Sequence, residues 1–340
     1  MERGPIYIGG PDRCGKTTMR AFLVSHPNIA IPAVGSNMWT YFYGQYGDLS
    51  RADNFERCLS DLLHYKHVRF LQPDPDRIRQ EFWQGPPTYA RLFALFLIHF
   101  AEREGKPRWG AQTGLIERYA DHLFAAYPGL KIIHMIRDPR DRYEASLALW
   151  PNGKGRVGGA TARWLYSVRL GQRNQQRYPN HYKIVRFESM VAQPEDTLRE
   201  VCSFLGEAYL PEMLTMSGAP KHRDRFSQGA NSKPTEESPV STDFIGMFRE
   251  KIPKHEILFM QMYAGREMLA YDYVLEPNRF SISNRVRFRT VDWPLNLGRM
   301  FAWRGLEAIQ HNFPTVLGRK PGQRMIVAPY KTVSSKPEVT

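Results

Sequence analysis

Gly10-Pro11-Asp12-Arg13-Cys14-Gly15-Lys16-Thr17 fits the pattern G-x-x-x-x-G-K-[ST]. The apolar run Pro5-Ile6-Tyr7-Ile8 precedes it, and a helical pattern follows from Thr17 through Leu23 to Ser25, so the spacing predicts strand, tight turn and helix. Glycines at both ends let the backbone curl until successive N–H groups point inward, and the helix start adds its positive dipole end. A phosphate or sulfate held there meets several donors at once. Gly10, Gly15, Thr17 and Thr18 are candidate cradle residues, with Arg13 and Lys16 as its cations. Cys14 completes the backbone cradle, and its thiol reads as space-filling because no sequence neighbour would make it a thiolate.

Further along, Lys131-Ile132-Ile133-His134-Met135-Ile136 is a continuous apolar run of the kind found in buried parallel strands, and Asp138-Pro139 supplies an N-cap and N1 proline for the next helix. Tyr182 to Phe187 is a second such strand, followed by a helix from Pro194 to Phe204 that stops at Gly206. Strands alternating with helices predict an α/β fold, a parallel sheet covered by helices on both faces. Helical spacing over 48–64 and 87–104, with Phe93, Leu97 and Phe100 on one stripe, predicts a helical insertion at 48–105. Residues 217–241 lack periodicity and read as a long loop.

The chain has 340 residues, 42% hydrophobic, enough for one large core. Residues 1–278 read as one domain and 279–340 as a basic C-terminal extension. The formal charge of +13, from 47 Lys and Arg against 34 Asp and Glu, suits a polyanionic ligand, an acidic acceptor or an anionic membrane. No nucleic acid is expected as partner, since the motifs that would direct such charge to DNA or RNA are absent from the sequence. Three scattered cysteines, with neither paired spacing nor clustered histidines, point to a reducing compartment and to no metal site. The longest apolar stretch, near Leu92 to Ile98, falls short of the roughly 20 residues of a membrane span. The expected location is cytoplasmic, with peripheral contact at the inner membrane surface as the further option. In the extension, Trp293, Leu297, Met300, Phe301, Trp303 and Leu306 form a candidate apolar face among Arg299 and Arg304, to be packed on the domain or turned to a membrane.

Four segments in order resemble the sulfotransferases that use 3′-phosphoadenosine 5′-phosphosulfate (PAPS), in particular the bacterial and tyrosylprotein branch. Residues 10–28 look like the 5′-phosphosulfate loop and first helix, down to the trailing His26-Pro27. Residues 131–146 resemble the 3′-phosphate motif, an apolar strand running into Arg137-Asp138-Pro139 and a helical Ser146. Residues 187–206 are similar to the family's Y-E-D-L and F-L-G run. The segment with Asn231, Lys233 and Pro234, then 248–253, looks like the closing segment. The resemblance implies a P-loop-like sheet, PAPS as sulfuryl donor, no metal, and in-line transfer to a hydroxyl or amine of a small-molecule, glycan or lipid acceptor. It also implies that Arg137, Ser146 and Lys233 bind the nucleotide, and that Arg13 or Lys16 neutralises the leaving phosphate.

Two family features are altered. The glutamate expected shortly after the His-Pro pair is missing from 31–38, and Gln112 stands where the family's lysine falls. His26, Asp48 and Glu117 are therefore the candidate bases. Two rival readings follow: a P-loop kinase or NTPase using Mg-ATP, with Thr17 on magnesium and Asp138 as its second acid, or a non-catalytic nucleotide-binding protein.

Overall fold

Five parallel strands form the centre of the computed structural model, which describes residues 3–147, 156–222, 240–277 and 280–327. They are β1 (Ile6–Gly9), β2 (Ile29–Ala30), β3 (Arg108–Gln112), β4 (Lys131–Ile136) and β5 (Tyr182–Arg186), in the spatial order β2-β3-β1-β4-β5. Ile6 pairs with Gly110 on one side and Lys131 on the other, and Ile132 pairs with Tyr182. The chain leaves β1 toward β2, returns as β3 and then crosses to β4. Open α/β sheets bind ligands where the strand order reverses, outside the carboxyl ends, which here are the ends of β1, β3 and β4.

Helix α1 (Lys16–Leu23) buries Met19, Phe22 and Leu23 on one face of the sheet, in a core shared with Ile6, Ile8, Ile133 and Met135. The insertion between β2 and β3 holds α2 (Ala52–His64), α3 (Pro75–Phe82) and α4 (Tyr89–Arg103). Asp74 caps α3 by accepting from Asp76 N and Arg77 N, and the Thr88 side chain caps α4. Their apolar faces join Tyr7, Ala111 and Ile132 in a second core, so the insertion packs directly on the sheet's other face. Four later helices complete the frame: α5 (Pro139–Leu147), α6 (Arg156–Arg177), α7 (Pro194–Leu205) and α8 (Lys254–Leu269).

In the C-terminal extension, α9 (Ile282–Arg287) leads through a π-helical turn into α10 (Trp293–Asn312). Pro294 does not interrupt α10, because it falls in the first turn where a missing N–H costs nothing. One edge of α10 packs inward through Asn296, Met300 and Glu307, and Glu307 pairs with both Arg118 and Arg319.

Candidate functional site

The turn after β1 is shaped by contacts that only glycine permits. Gly10 has φ 102°, and a Cβ there would lie 2.1 Å from the Met135 carbonyl oxygen. Gly15 has φ 83° and lies against the Phe187 ring. It opens α1 with no side chain capping the first turn. The amides of that turn have no partner inside the helix, so they and the helix dipole face whatever anion enters. Arg13, between the glycines, is also held in the left-handed region, at φ 64°.

The two cations of the turn behave differently. Lys16 folds back, its Nζ donating to the Gly10 carbonyl at 2.8 Å and to that of Pro11, and burial of the ammonium lowers its pKa. Arg13 is exposed and its guanidinium makes no hydrogen bond or ion pair among the described residues.

Arg137 reaches the same turn from the end of β4. One terminal nitrogen donates to the Arg13 carbonyl at 3.3 Å and the other to the Phe244 carbonyl at 2.6 Å. The guanidinium lies 4.6 Å from the centroid of the Phe187 ring, which also packs against Gly15, so one aromatic side chain supports both basic elements. Arg137 is only 5% exposed, yet its Nε lacks a hydrogen-bond partner and no carboxylate pairs with it among the described residues. A buried cation without a counter-ion is costly, and an anion delivered to this spot would relieve that cost. Turn, orphaned guanidinium and glycine-only approaches fit a nucleotide carrying two phosphate-like ends.

A family profile described as "Sulfotransferase family" matches residues 5–211. The chain belongs to the sulfotransferase family. A protein-tyrosine sulfotransferase of Drosophila melanogaster is 20% identical over 246 residues, covering 70% of this chain and 44% of that protein, so the chain spans under half the length of that relative. The sulfotransferase domain of the Synechococcus PCC 7002 olefin synthase is 19% identical, with a TM-score of 0.51 over 79% of this chain and 96% of that one. At that identity the likeness is one of fold.

Around the sulfotransferase cradle lies a layer of charge that sequence reading missed. Asp12 in the turn accepts from Arg142 of α5 through both its carbonyl, at 3.0 Å, and its carboxylate, and it lies 3.7 Å from Arg163 of α6. Burial pushes its carboxyl up, but Arg142, Arg163 and Lys16 outweigh that and hold it below the usual carboxylate range. Asp141 of α5 accepts from the backbone N–H groups of Gly246 at 2.7 Å and Phe248 at 3.0 Å. This anchors the segment whose Phe244 carbonyl covers Arg137. The alternation of charges in Arg137-Asp138-Pro139-Arg140-Asp141-Arg142 was the available signal, because each of the five charged residues is buried and engaged.

The other candidate residues sit in different surroundings. His26 stands beyond the far end of α1, about 12 Å of helix from the turn. It is buried, and its Nδ1 accepts from Asn28 N at 3.1 Å, so it serves the exit of the helix and not the cradle. Ser146 hydrogen-bonds the Arg142 carbonyl at 2.9 Å and approaches Asp12 at 3.4 Å, which directs its hydroxyl to the turn's acidic residue. Thr18 is buried with its hydroxyl 3.2 Å from His222 Nε2, which leaves only its amide on the cradle side, whereas Thr17 is exposed. Cys14 is fully buried, and that burial pushes its thiol up to about 12. Asp48 is exposed and occupied by Ser50 of its own turn. Gln112 donates to the Pro32 and Ala33 carbonyls, tying the end of β3 to the segment after the His-Pro pair. Asn231, Lys233 and Pro234 lie outside the described residues.

Glu117 has no exposure at all. Its Oε2 accepts from Gly10 N at 3.3 Å and its Oε1 from the Ser167 hydroxyl, which stands 3.3 Å from His134 Nε2, and His134 Nδ1 meets the Tyr182 hydroxyl at 2.5 Å. Placed beneath the turn, Glu117 holds it in shape.

Proposed function

We propose that the chain transfers the sulfuryl group of PAPS to a hydroxyl or amine of a small-molecule acceptor, with glycan and lipid hydroxyls included in the class. The observation that carries this reading is Arg137, a buried guanidinium with an orphaned N–H set against the glycine turn. When bound, the donor supplies a phosphosulfate whose sulfur–oxygen bond would break as the acceptor's oxygen or nitrogen bonds to sulfur, the electron pair staying on the 5′-phosphate and the acceptor's proton passing to solvent.

In this reading the first-turn amides of α1 and Lys16 hold the 5′ end, and Arg137 takes the 3′-phosphate as a planar fork. Arg13, exposed on the turn, reaches over the leaving oxygen, where charge develops in the transition state. Lys16 gives up a carbonyl contact to do the same. Most of the acceleration is positioning plus fixed positive charge. Peripheral contact of the C-terminal extension with the inner membrane surface is a separate reading, independent of the cradle.

A magnesium-dependent kinase is disfavoured by Asp138. Its carboxylate accepts from the Arg140 backbone N–H at 2.9 Å and from the Arg140 guanidinium at 3.0 Å and 2.7 Å, so its charge is already matched by a fixed cation. Thermal-shift titration with 3′-phosphoadenosine 5′-phosphate (PAP) and with ADP, each with and without Mg²⁺, tests the choice. A stabilisation by PAP that ignores magnesium is expected, and preference for Mg·ADP overturns it. Turnover of PAPS to PAP with a panel of phenols and alcohols then separates the enzyme from a binding protein.

A further inference from the structure

Eleven of the seventeen exposed large hydrophobic side chains among the described residues lie between Ile282 and Ile326, so the exposed apolar surface is concentrated on the C-terminal extension. On α10 it is ordered. At 100° per residue, Leu295, Phe301, Ala302, Leu306, Ala308 and Ile309 fall within an arc of roughly 160° that contains no charged residue. All six are exposed, and Phe313, at the end of the helix, continues the stripe at 58% exposure. Arg299 and Arg304 border the arc on its two sides, while Met300 and Glu307 turn inward.

The charge around this face has one sign. Arg285, Arg287, Arg289, Arg304, Lys320 and Arg324 are exposed. Of the two acidic residues in 282–326, Glu307 is buried and paired with Arg118 and Arg319, and Asp292 lies 4.0 Å from Arg287. Two open cavities meet at Arg304. One, of about 270 Å³, has Leu165, Leu170 and Met300 in its wall, and the other, of about 520 Å³, is lined by Phe301, Trp303 and Ala308. Apolar walls beside a guanidinium match an acyl chain below an anionic headgroup. No described helix is long and apolar enough to cross a membrane, so this face would lie in the interface.

We propose that α9 and α10, with the segment through Leu317, form an in-plane docking face for a bilayer containing anionic lipid. The apolar arc enters the headgroup boundary and the arginines engage lipid phosphates. This inference stands apart from the sulfotransferase reading, because none of these residues touches the nucleotide cradle.

Co-sedimentation of the full chain with phosphatidylcholine vesicles, and with vesicles about one third phosphatidylglycerol, tests it. At least about tenfold stronger partition onto the anionic vesicles is expected, weakened by salt. The triple change Phe301→Ser, Leu306→Ser, Ile309→Ser is expected to abolish pelleting while the stabilisation by PAP persists, which shows that the core is folded. Arg285→Gln, Arg287→Gln and Arg289→Gln together are expected to weaken binding to anionic vesicles alone. Equal pelleting of wild type and the triple serine variant, or no anionic preference, overturns the proposal. So does a wild-type dimer that the serine changes dissociate while neither protein pellets, since a second copy would then cover the face.

Discussion

Glu117 accepts the N–H of Gly10 at 3.3 Å across 107 residues of chain, joining the 3-10 turn Ile116–Tyr119 that follows β3 to the turn after β1. It lies fully buried and also takes the Ser167 hydroxyl, so truncation leaves the Gly10 N–H unpaired and the Ser167 hydroxyl with His134 Nε2, 3.3 Å away, as its other partner. An unpaired buried donor costs about 1–3 kcal/mol. Glu117→Ala is expected to lower the Tm by several degrees and to cost most of the stabilisation by PAP. Glu117→Gln keeps an acceptor for Gly10 and should retain more of both. Differential scanning calorimetry of the two variants, with and without PAP, checks the ordering. Equal PAP response in Glu117→Ala and wild type would remove Glu117 from the support of the turn.

Arg137 yields a prediction with two signs. Replacing it by alanine removes charge-assisted bonds worth about 1.5–3 kcal/mol, so PAP should bind about 10- to 100-fold more weakly. Binding of 5′-AMP, which lacks the 3′-phosphate, should change little. The unliganded protein should hold its Tm or gain, because a buried cation with an orphaned Nε is lost. Calorimetric titration of both nucleotides gives the ratio, and a parallel loss for AMP would assign Arg137 to the whole nucleotide and not to its ribose phosphate.

The ease of reading the sequence followed the locality of the interactions. The turn, β4 and β5 are legible because each is a contiguous pattern, apolar residues followed by a turn signal. Strand β3 is not, since Arg108-Trp109-Gly110-Ala111-Gln112 has no apolar run. It is buried because Arg108 pairs with Glu207 at 2.9 Å and donates to the Gly4 and Leu205 carbonyls. Such compensation spans about a hundred residues and leaves no local trace. The same holds at the site, where Arg13, Lys16 and Arg137 announce themselves by motif. Asp12–Arg142 and Glu117–Gly10 are visible only once distant strand ends meet.

His134 lies beneath this assembly with no exposure, and burial lowers its pKa from the ordinary 6.5. The unfolded chain therefore takes up a proton near pH 6.5 that the folded chain refuses until lower pH. That contribution to stability is complete above about pH 6.5 and is lost as pH falls through it. His26 and His311, also lowered by burial, act in the same direction. Tm measured from pH 7.5 to 5.5 should fall in the wild type and fall less steeply in His134→Gln. Identical slopes would mean that His134 titrates alike in both states.

Cys14 lies in the turn between Arg13 and Gly15, yet its buried environment argues against reactivity. Thiolate is the nucleophilic form, and burial pushes Cys14 up to about 12, against the opposing pull of Arg142 and Lys16. Cys58 and Cys202 are buried and raised as well. Native protein at pH 8 should therefore react with Ellman's reagent at none of its three cysteines over minutes, and at all three in denaturant. Cys14→Ser would bury a hydroxyl where the thiol has no hydrogen-bond partner among the described residues and should cost about 1–3 kcal/mol, while Cys14→Ala should retain PAP binding. Rapid modification of Cys14 in the native chain, slowed by PAP, would instead show that the turn opens and exposes the thiol when the nucleotide is absent.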